Sequence, residues 1–132
     1  MLFFKMDIIS LFFLFIAIEL FESNWQKSDT IYGLLSNNLA IFNKNIILYF
    51  LLNSSFIYSI FLSVYLNNYS FLMLSIVGIK FFDIAFKLSI MQKINNGVLI
   101  EEIMPNIKVS LLLRYFNAIA YPTTFLFATD YF

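Results

Sequence analysis

The chain is 132 residues long, and 61% of them are hydrophobic, 20% aromatic and only 12% charged. Average soluble domains carry roughly 25% charged residues, and a fold of this size is too small to bury so many apolar side chains. The composition therefore argues against a soluble domain and against a disordered chain. It predicts one all-α integral membrane domain that covers residues 1–132.

The charge balance and the missing residue types narrow the function classes. Eight basic and eight acidic residues cancel, so no basic surface indicates nucleic-acid binding. The absence of Cys and His removes disulfides, the commonest metal ligands and the commonest general base. We expect no catalytic, cofactor-binding or metal-binding residues, and nothing in the sequence supports an enzyme.

The first apolar segment covers residues 2–21, with charged residues only near its ends. A cleaved signal peptide is the alternative to a membrane span. No small-residue cleavage site follows, because residues 16–21 read IAIELF and are bulky and acidic. We therefore predict that this segment is the first transmembrane helix.

Residues 29–43 show the pattern of an amphipathic helix that lies along the membrane surface. Ser28 and Asp29 are the candidate N-cap, and Trp25 is a candidate interface anchor. We expect this helix at the level of the lipid headgroups, between the first two spans. Its apolar residues recur at helical spacing and are Ile31, Leu34, Leu35, Leu39 and Phe42.

The next two predicted spans form a hairpin. No residue between Lys44 and Lys80 is charged, and this stretch is too long for one membrane helix, which needs about 20 residues. The turn-prone sequence Asn-Asn-Tyr at residues 67–69 divides it. The pattern therefore predicts spans at about residues 46–66 and 70–90.

Residues 92–106 are predicted to form a loop with a short helix, and residues 107–128 to form the fourth span. This span contains Arg114 and Pro122. A proline inside a membrane helix kinks it and frees a carbonyl group. A tolerated kink and a hinge in a transport cycle are the two interpretations of this proline.

The positions of the basic residues predict the orientation. With four spans, Lys5 is alone on the side of the two termini and the 67–69 turn. The positive-inside rule therefore places the long loops in the cytoplasm and both termini outside, in a bacterial inner (plasma) membrane. The basic residues on the loop side are Lys27, Lys44, Lys87, Lys93, Lys108 and Arg114.

Six ionisable residues fall inside the predicted spans, where such residues are costly and are functional candidates. The predicted topology brings them into one layer, in the cytoplasmic half of the membrane. Since three are acidic and three are basic, we expect them to pair. Asp83 should pair with a lysine of its own helix, and a glutamate of the first span should reach the third span or Arg114. The predicted charge network comprises Glu19, Glu22, Lys80, Asp83, Lys87 and Arg114.

This charge network has two interpretations. It is an ion-pair clamp that fixes helix register and partner choice, or it is a relay or binding site for protons, ions or a charged substrate. Equal numbers of the two signs favour the clamp, because a transport site usually keeps one charge available for its ligand.

Two stripes of small residues are predicted to allow close helix packing. In each stripe a small residue recurs every four positions and therefore returns to the same helix face. Packing against each other and packing against another copy of the chain are both compatible with the pattern. The stripes are Ser55, Ser59 and Ser63 in the second span, and Ala120, Thr124 and Ala128 in the fourth.

These features favour a small scaffold or accessory subunit of a larger membrane complex. Its expected partners are the lipid bilayer and other membrane subunits, or further copies of itself. The alternative is a small ion- or proton-coupled transporter or channel that uses the charge network. This alternative predicts a water-filled cavity that reaches Glu19 or Asp83.

Overall fold

The computed structural model describes residues 7–129, and every named element in this part of the chain is an α-helix. The predicted all-α fold class is therefore confirmed. Leu2 and Lys5, at the start of the predicted first span, lie outside the described residues. In chain order the helices are α1 (Ile8–Gln26), α2 (Ile31–Lys44), α3 (Ile46–Leu52), α4 (Ser54–Tyr65), α5 (Phe71–Asn95), α6 (Ile100–Ile103) and α7 (Leu111–Ala128).

The first two helices are bounded differently from the prediction. α1 continues to Gln26 instead of ending at residue 21, so Trp25 lies within its last turn. α2 begins at Ile31, because Thr30 is its N-cap and accepts a hydrogen bond from the Gly33 amide at 3.1 Å. The predicted N-cap role of Ser28 and Asp29 is therefore wrong.

The predicted second span is not one continuous helix. It breaks at Asn53 into α3 and α4, whose axes differ by 60°. The side-chain nitrogen of Asn53 donates to the Tyr49 carbonyl oxygen at 2.8 Å. An asparagine that bonds the local backbone in this way competes with the helix and favours a break. The adjacent residues Ser54 and Ser55 continue this polar cluster in an otherwise apolar stretch.

The hairpin between α4 and α5 turns where the sequence predicts it. Asn67 adopts a left-handed conformation with φ 49°, which asparagine tolerates better than most residues. Ser70 caps α5 by accepting a hydrogen bond from the Met73 amide. α5 ends at Asn95, and Gly97 follows with a φ of 94°, a conformation that glycine adopts without strain.

α7 begins four residues later than predicted, because residues before it are held in an extended conformation against the start of α2. The Ile31 amide donates to the Ile107 carbonyl at 2.8 Å, and the Val109 amide donates to the Asp29 carbonyl at 2.8 Å. Thr30 and Lys108 therefore form an antiparallel bridge. This contact fastens the two long loops to each other on one side of the molecule.

The helices pack as a bundle with two chemically different ends. α1 packs against α7 and α4, and α5 packs against α4 and α7. At the end near the 67–69 turn the core is apolar, and Phe15 meets Tyr58 edge-to-face at 5.3 Å between ring centroids. The end near the long loops holds the six residues of the predicted charge network. Buried members of the apolar core are Leu11, Phe15, Tyr58, Leu62, Met73, Ile76, Phe125 and Ala128.

The surface of the bundle is strongly apolar. Phe71 on α5 is 83% exposed and Leu112 on α7 is 73% exposed, whereas Glu19 and Lys80 are buried. In the described residues, α1 alone is long and apolar enough to cross a membrane, and α3 with α4 qualifies only if the bent pair counts as one span. Membrane association therefore has support from the structure, while four spans remain a prediction.

The two stripes of small residues do not form a common interface. α4 and α7 make no extended contact in the described part of the chain, since both pack against α1 and α5. The serine stripe of α4 is buried, and Ser63 donates to the Ser59 carbonyl oxygen at 3.2 Å. On α7, Thr124 likewise donates to the Ala120 carbonyl oxygen at 2.8 Å. Packing against another copy stays a prediction.

Candidate functional site

A cavity of about 110 Å³ lies at the charged end of the bundle. It is enclosed mainly by α1, the start of α4, the second half of α5 and the start of α7, and Lys27 and Val109 of the two long loops also line it. The structure brings every residue of the predicted charge network to its wall. These residues are Glu19, Glu22, Lys80, Asp83, Lys87 and Arg114.

The deepest charges form a salt bridge between two helices. Glu19 on α1 pairs with Lys80 on α5, and their side chains are only 1% and 6% exposed. The Lys80 ammonium also lies 3.9 Å from the ring centroid of Tyr121 on α7, which adds a cation–π contact. The sequence predicts Lys80 or Lys87 as the partner of Asp83, and Lys80 pairs instead with the Glu19 carboxylate of α1.

Asp83 pairs with Lys87, one turn further along α5, at 3.1 Å. The Lys87 ammonium also donates to the Gln26 side-chain oxygen at 3.0 Å. The Asp83 side chain is 49% exposed. It therefore lies at the rim of the bundle, paired with a lysine of its own helix as the sequence predicts.

Arg114 is held by the loop that precedes α2. Its guanidinium donates to the Asp29 carboxylate at 3.2 Å and to the Ser28 carbonyl oxygen at 3.2 Å. Of the two partners that the sequence predicts for a glutamate of the first span, the third span and Arg114, the structure pairs Glu19 with the third span, and Arg114 pairs with Asp29 instead. The reason is the bridge between the two long loops, which brings Asp29 to the start of α7.

Glu22 has a different role from the other acidic residues. Its two carboxylate oxygens accept from the Ser55 amide and from the Ser55 hydroxyl, each at 2.7 Å. These bonds cap the N-terminus of α4, where unpaired amides and the helix dipole favour a negative charge. No cation pairs with Glu22 in the described residues, so its predicted place in an ion pair is wrong.

Trp25 bonds to the end of α3, on the other side of the break at Asn53 from Glu22. Its indole nitrogen donates to the Leu52 carbonyl oxygen at 3.0 Å, at the end of α3. Its ring also meets Tyr49 edge-to-face, with centroids 6.2 Å apart. This contact inside the bundle differs from the interface anchor that the sequence predicts.

A second polar network, around Asn38, was not predicted from the sequence. Asn38 on α2 is fully buried, donates to the Gln26 side-chain oxygen at 3.2 Å and accepts from the Tyr49 hydroxyl at 2.9 Å. Through Gln26 the network continues to Lys87. A lone asparagine on the apolar face of an amphipathic helix is the sequence signal that could have revealed it.

An apolar groove of about 300 Å³ adjoins the cavity. Its walls are α2, the second half of α5 and the extended segment before α7. The groove and the cavity share residues at their boundary, so they form neighbouring compartments. The shared residues are Ile31, Leu34, Asp83 and Lys87.

The site combines opposite charges with a small internal volume. Within residues 7–129, no group of three or more carboxylate, His or Cys side chains could hold a metal ion. The chain matches no protein-family model, no curated protein and no solved structure.

Proposed function

We propose that this chain is a multi-pass inner-membrane protein with four spans, formed by α1, the bent pair α3–α4, α5 and α7. The observation that carries this proposal is the reversed distribution of polarity. Large apolar side chains cover the outside of the bundle while the ion pair Glu19–Lys80 is enclosed. A soluble monomer rarely exposes apolar patches of this extent, whereas a lipid-facing surface requires them.

The charged residues within the proposed span α5 are compatible with this proposal. α5 has 25 residues, and at 1.5 Å per residue it is long enough to cross a bilayer core of about 30 Å. Lys80 is turned inward, and Asp83 and Lys87 lie near the loop side. Ionisable residues of membrane helices typically face the bundle interior or a polar cavity in this way.

Cysteine labelling tests the topology, since the chain has no native cysteine. We expect Lys27→Cys and Lys93→Cys to react with a membrane-impermeant maleimide only after permeabilisation, because both long loops are proposed to be cytoplasmic. The matched control is Tyr69→Cys, an exposed residue at the hairpin turn, which should react on intact cells. Labelling of either loop on intact cells would contradict the orientation.

For the activity, we propose an accessory or scaffold subunit of a larger membrane complex. Each charged group of the network has an internal partner, either an opposite charge or, for Glu22, the start of α4. Charges satisfied in this way hold helices in register and leave none available for turnover. The exposed apolar faces of α5 and α7 offer surface for a partner helix.

A second candidate, an ion- or proton-coupled transporter, has one observation in its favour. The cavity reaches both Glu19 and Asp83, as a transport pathway requires. It also lies beside a broken helix, a feature of many transporter sites near the bilayer centre. Its small volume and the pairing of Glu19 with Lys80 favour the subunit role.

Native purification separates the two candidates. For the subunit role we expect a second protein to copurify in fixed stoichiometry from mildly solubilised membranes, as measured by mass spectrometry of the intact complex. A chain that purifies without a partner protein and carries protons or cations into reconstituted vesicles would contradict this role. Loss of that flux in Glu19→Gln, with flux retained in the exposed-site control Glu102→Gln, would assign transport to the cavity.

A further inference from the structure

The charged cavity and the adjoining apolar groove together form a site suited to an amphiphilic ligand. The cavity is lined by side chains of both charges, while the groove is apolar except for Asp83 and Lys87 at the boundary that it shares with the cavity. A ligand that follows both compartments therefore needs a charged head and an apolar tail. This inference rests on the membrane location proposed above.

The charges that line the cavity indicate the sign of the charge on the head group of the ligand. Its lining contains three carboxylates and four basic side chains, because Lys27 joins Lys80, Lys87 and Arg114. The carboxylate that neutralises Arg114 belongs to Asp29, which is fully exposed and outside the cavity lining. Lys27 has no ion-pair partner in the described part of the chain. Because Glu22 bonds to the start of α4 and the other charges of the lining are paired, Lys27 is the lining charge that remains available for an anionic head.

The walls of the groove indicate that the tail of the ligand is apolar. They consist of the apolar face of α2, Phe86 of α5 and the extended segment that contains Met104 and Ile107. The volume of about 300 Å³ is at the lower end for small-molecule sites. Lys108 is exposed and follows Ile107 directly, which adds a positive charge at the rim.

We propose that an anionic phospholipid occupies this site, with its phosphate near Lys27 and Lys87 and an acyl chain in the groove. Basic pockets between membrane helices on the cytoplasmic side bind anionic headgroups by the same physics. The amphipathic helix α2 would then seal the acyl chain from water. The lipid would join the two long loops to α5, the helix that carries the Glu19–Lys80 pair.

The experiment measures lipid retained by the full chain purified in mild detergent. The protein is incubated with mixed micelles containing phosphatidylglycerol or phosphatidylcholine and analysed by native mass spectrometry. We expect one phosphatidylglycerol to remain bound at collision energies that strip phosphatidylcholine. Equal retention of the two lipids would overturn the proposal.

Two pairs of variants locate the bound lipid. Ile107→Trp should fill the groove and abolish retention, while Leu99→Trp, which is similarly exposed at 61% against 54% and lies outside the groove, should not. Lys27→Gln should weaken retention about fivefold, the effect of one basic residue near an anionic surface, while Lys93→Gln should leave it unchanged. A result in which the variants and their controls behave alike would overturn the site.

The outcome is separable from that of the proposed function. A chain found in the soluble fraction of cells would contradict the membrane location itself. A membrane-embedded chain with the expected labelling pattern but without selective lipid retention would contradict the lipid site alone. Lys27→Gln changes an exposed side chain, so its result does not depend on whether the groove variant folds.

Discussion

Replacing Lys80 with methionine should destabilise the protein more than any other single change in the charge network. The substitution leaves the Glu19 carboxylate buried, 1% exposed and without its cation. Removing one partner of a buried salt bridge costs about 3–5 kcal/mol, whereas methionine retains most of the apolar stem. The expected result is a lower thermal midpoint of the detergent-solubilised protein and a lower abundance in membranes.

The control variants distinguish the ion pair from a general loss of charge. Lys93→Met removes an exposed lysine from the same helix and should leave the thermal midpoint unchanged. Asp83→Asn should cost less than about 1 kcal/mol, because the Asp83 side chain is 49% exposed and water screens its pair with Lys87. A Lys80→Met protein as stable as the wild type would contradict the clamp.

The double variant Glu19→Leu/Lys80→Met tests whether the pair is structural or part of a relay. Replacing both partners of a buried pair with apolar residues is often close to neutral, so the double variant should recover most of the stability lost in Lys80→Met. If the pair is only a clamp, the recovered protein should also assemble normally. A double variant that is stable and assembled, but that has lost a proton or cation flux shown by the wild-type protein in vesicles, would indicate a relay.

The helices and their approximate order follow from the sequence because they depend on local properties. Apolar composition and the lack of charges between Lys44 and Lys80 indicate helices, and the Asn-rich turn at residues 67–69 divides them. The common layer of charges also follows from local information. In an up-and-down bundle the end of α1, the end of α5 and the start of α7 must lie at the same end.

The break at Asn53 could not be placed from local information alone. Asparagine and serine occur inside many continuous membrane helices, where a neighbour satisfies their side chains. The break is stable here because Glu22 and Trp25, on another helix, bond to the backbone groups that it exposes. The residues that stabilise it are about thirty positions away in sequence, and no periodicity within the span reveals them.

The ion-pair partner of each charged residue could not be predicted from the sequence either. The sequence indicates that charges of opposite sign should pair, but the choice between Glu19 and Asp83 for Lys80 depends on how α5 rotates against α1. The pairing of Arg114 with Asp29 depends on the bridge between Thr30 and Lys108. Both are tertiary features, set by packing and by loop contacts.

Glu22→Ala should produce the second large effect, because it removes the cap of α4 inside the bundle. The two hydrogen bonds to Ser55 are charge-assisted and partly buried. Loss of such a cap costs about 2 kcal/mol, and water competes weakly for the released amide at this depth. We expect a lower thermal midpoint, whereas Glu102→Ala on the exposed short helix α6 should have no effect.

A double-mutant cycle with Ser55→Ala tests the capping role directly. Ser55→Ala alone loses the hydroxyl bond but keeps the backbone bond to Glu22, so it should cost about 1 kcal/mol. If the carboxylate acts through Ser55, the double variant should cost less than the sum of the single variants, with a coupling of about 0.5–1 kcal/mol. Strictly additive costs would contradict the bond between the Ser55 hydroxyl and the Glu22 carboxylate.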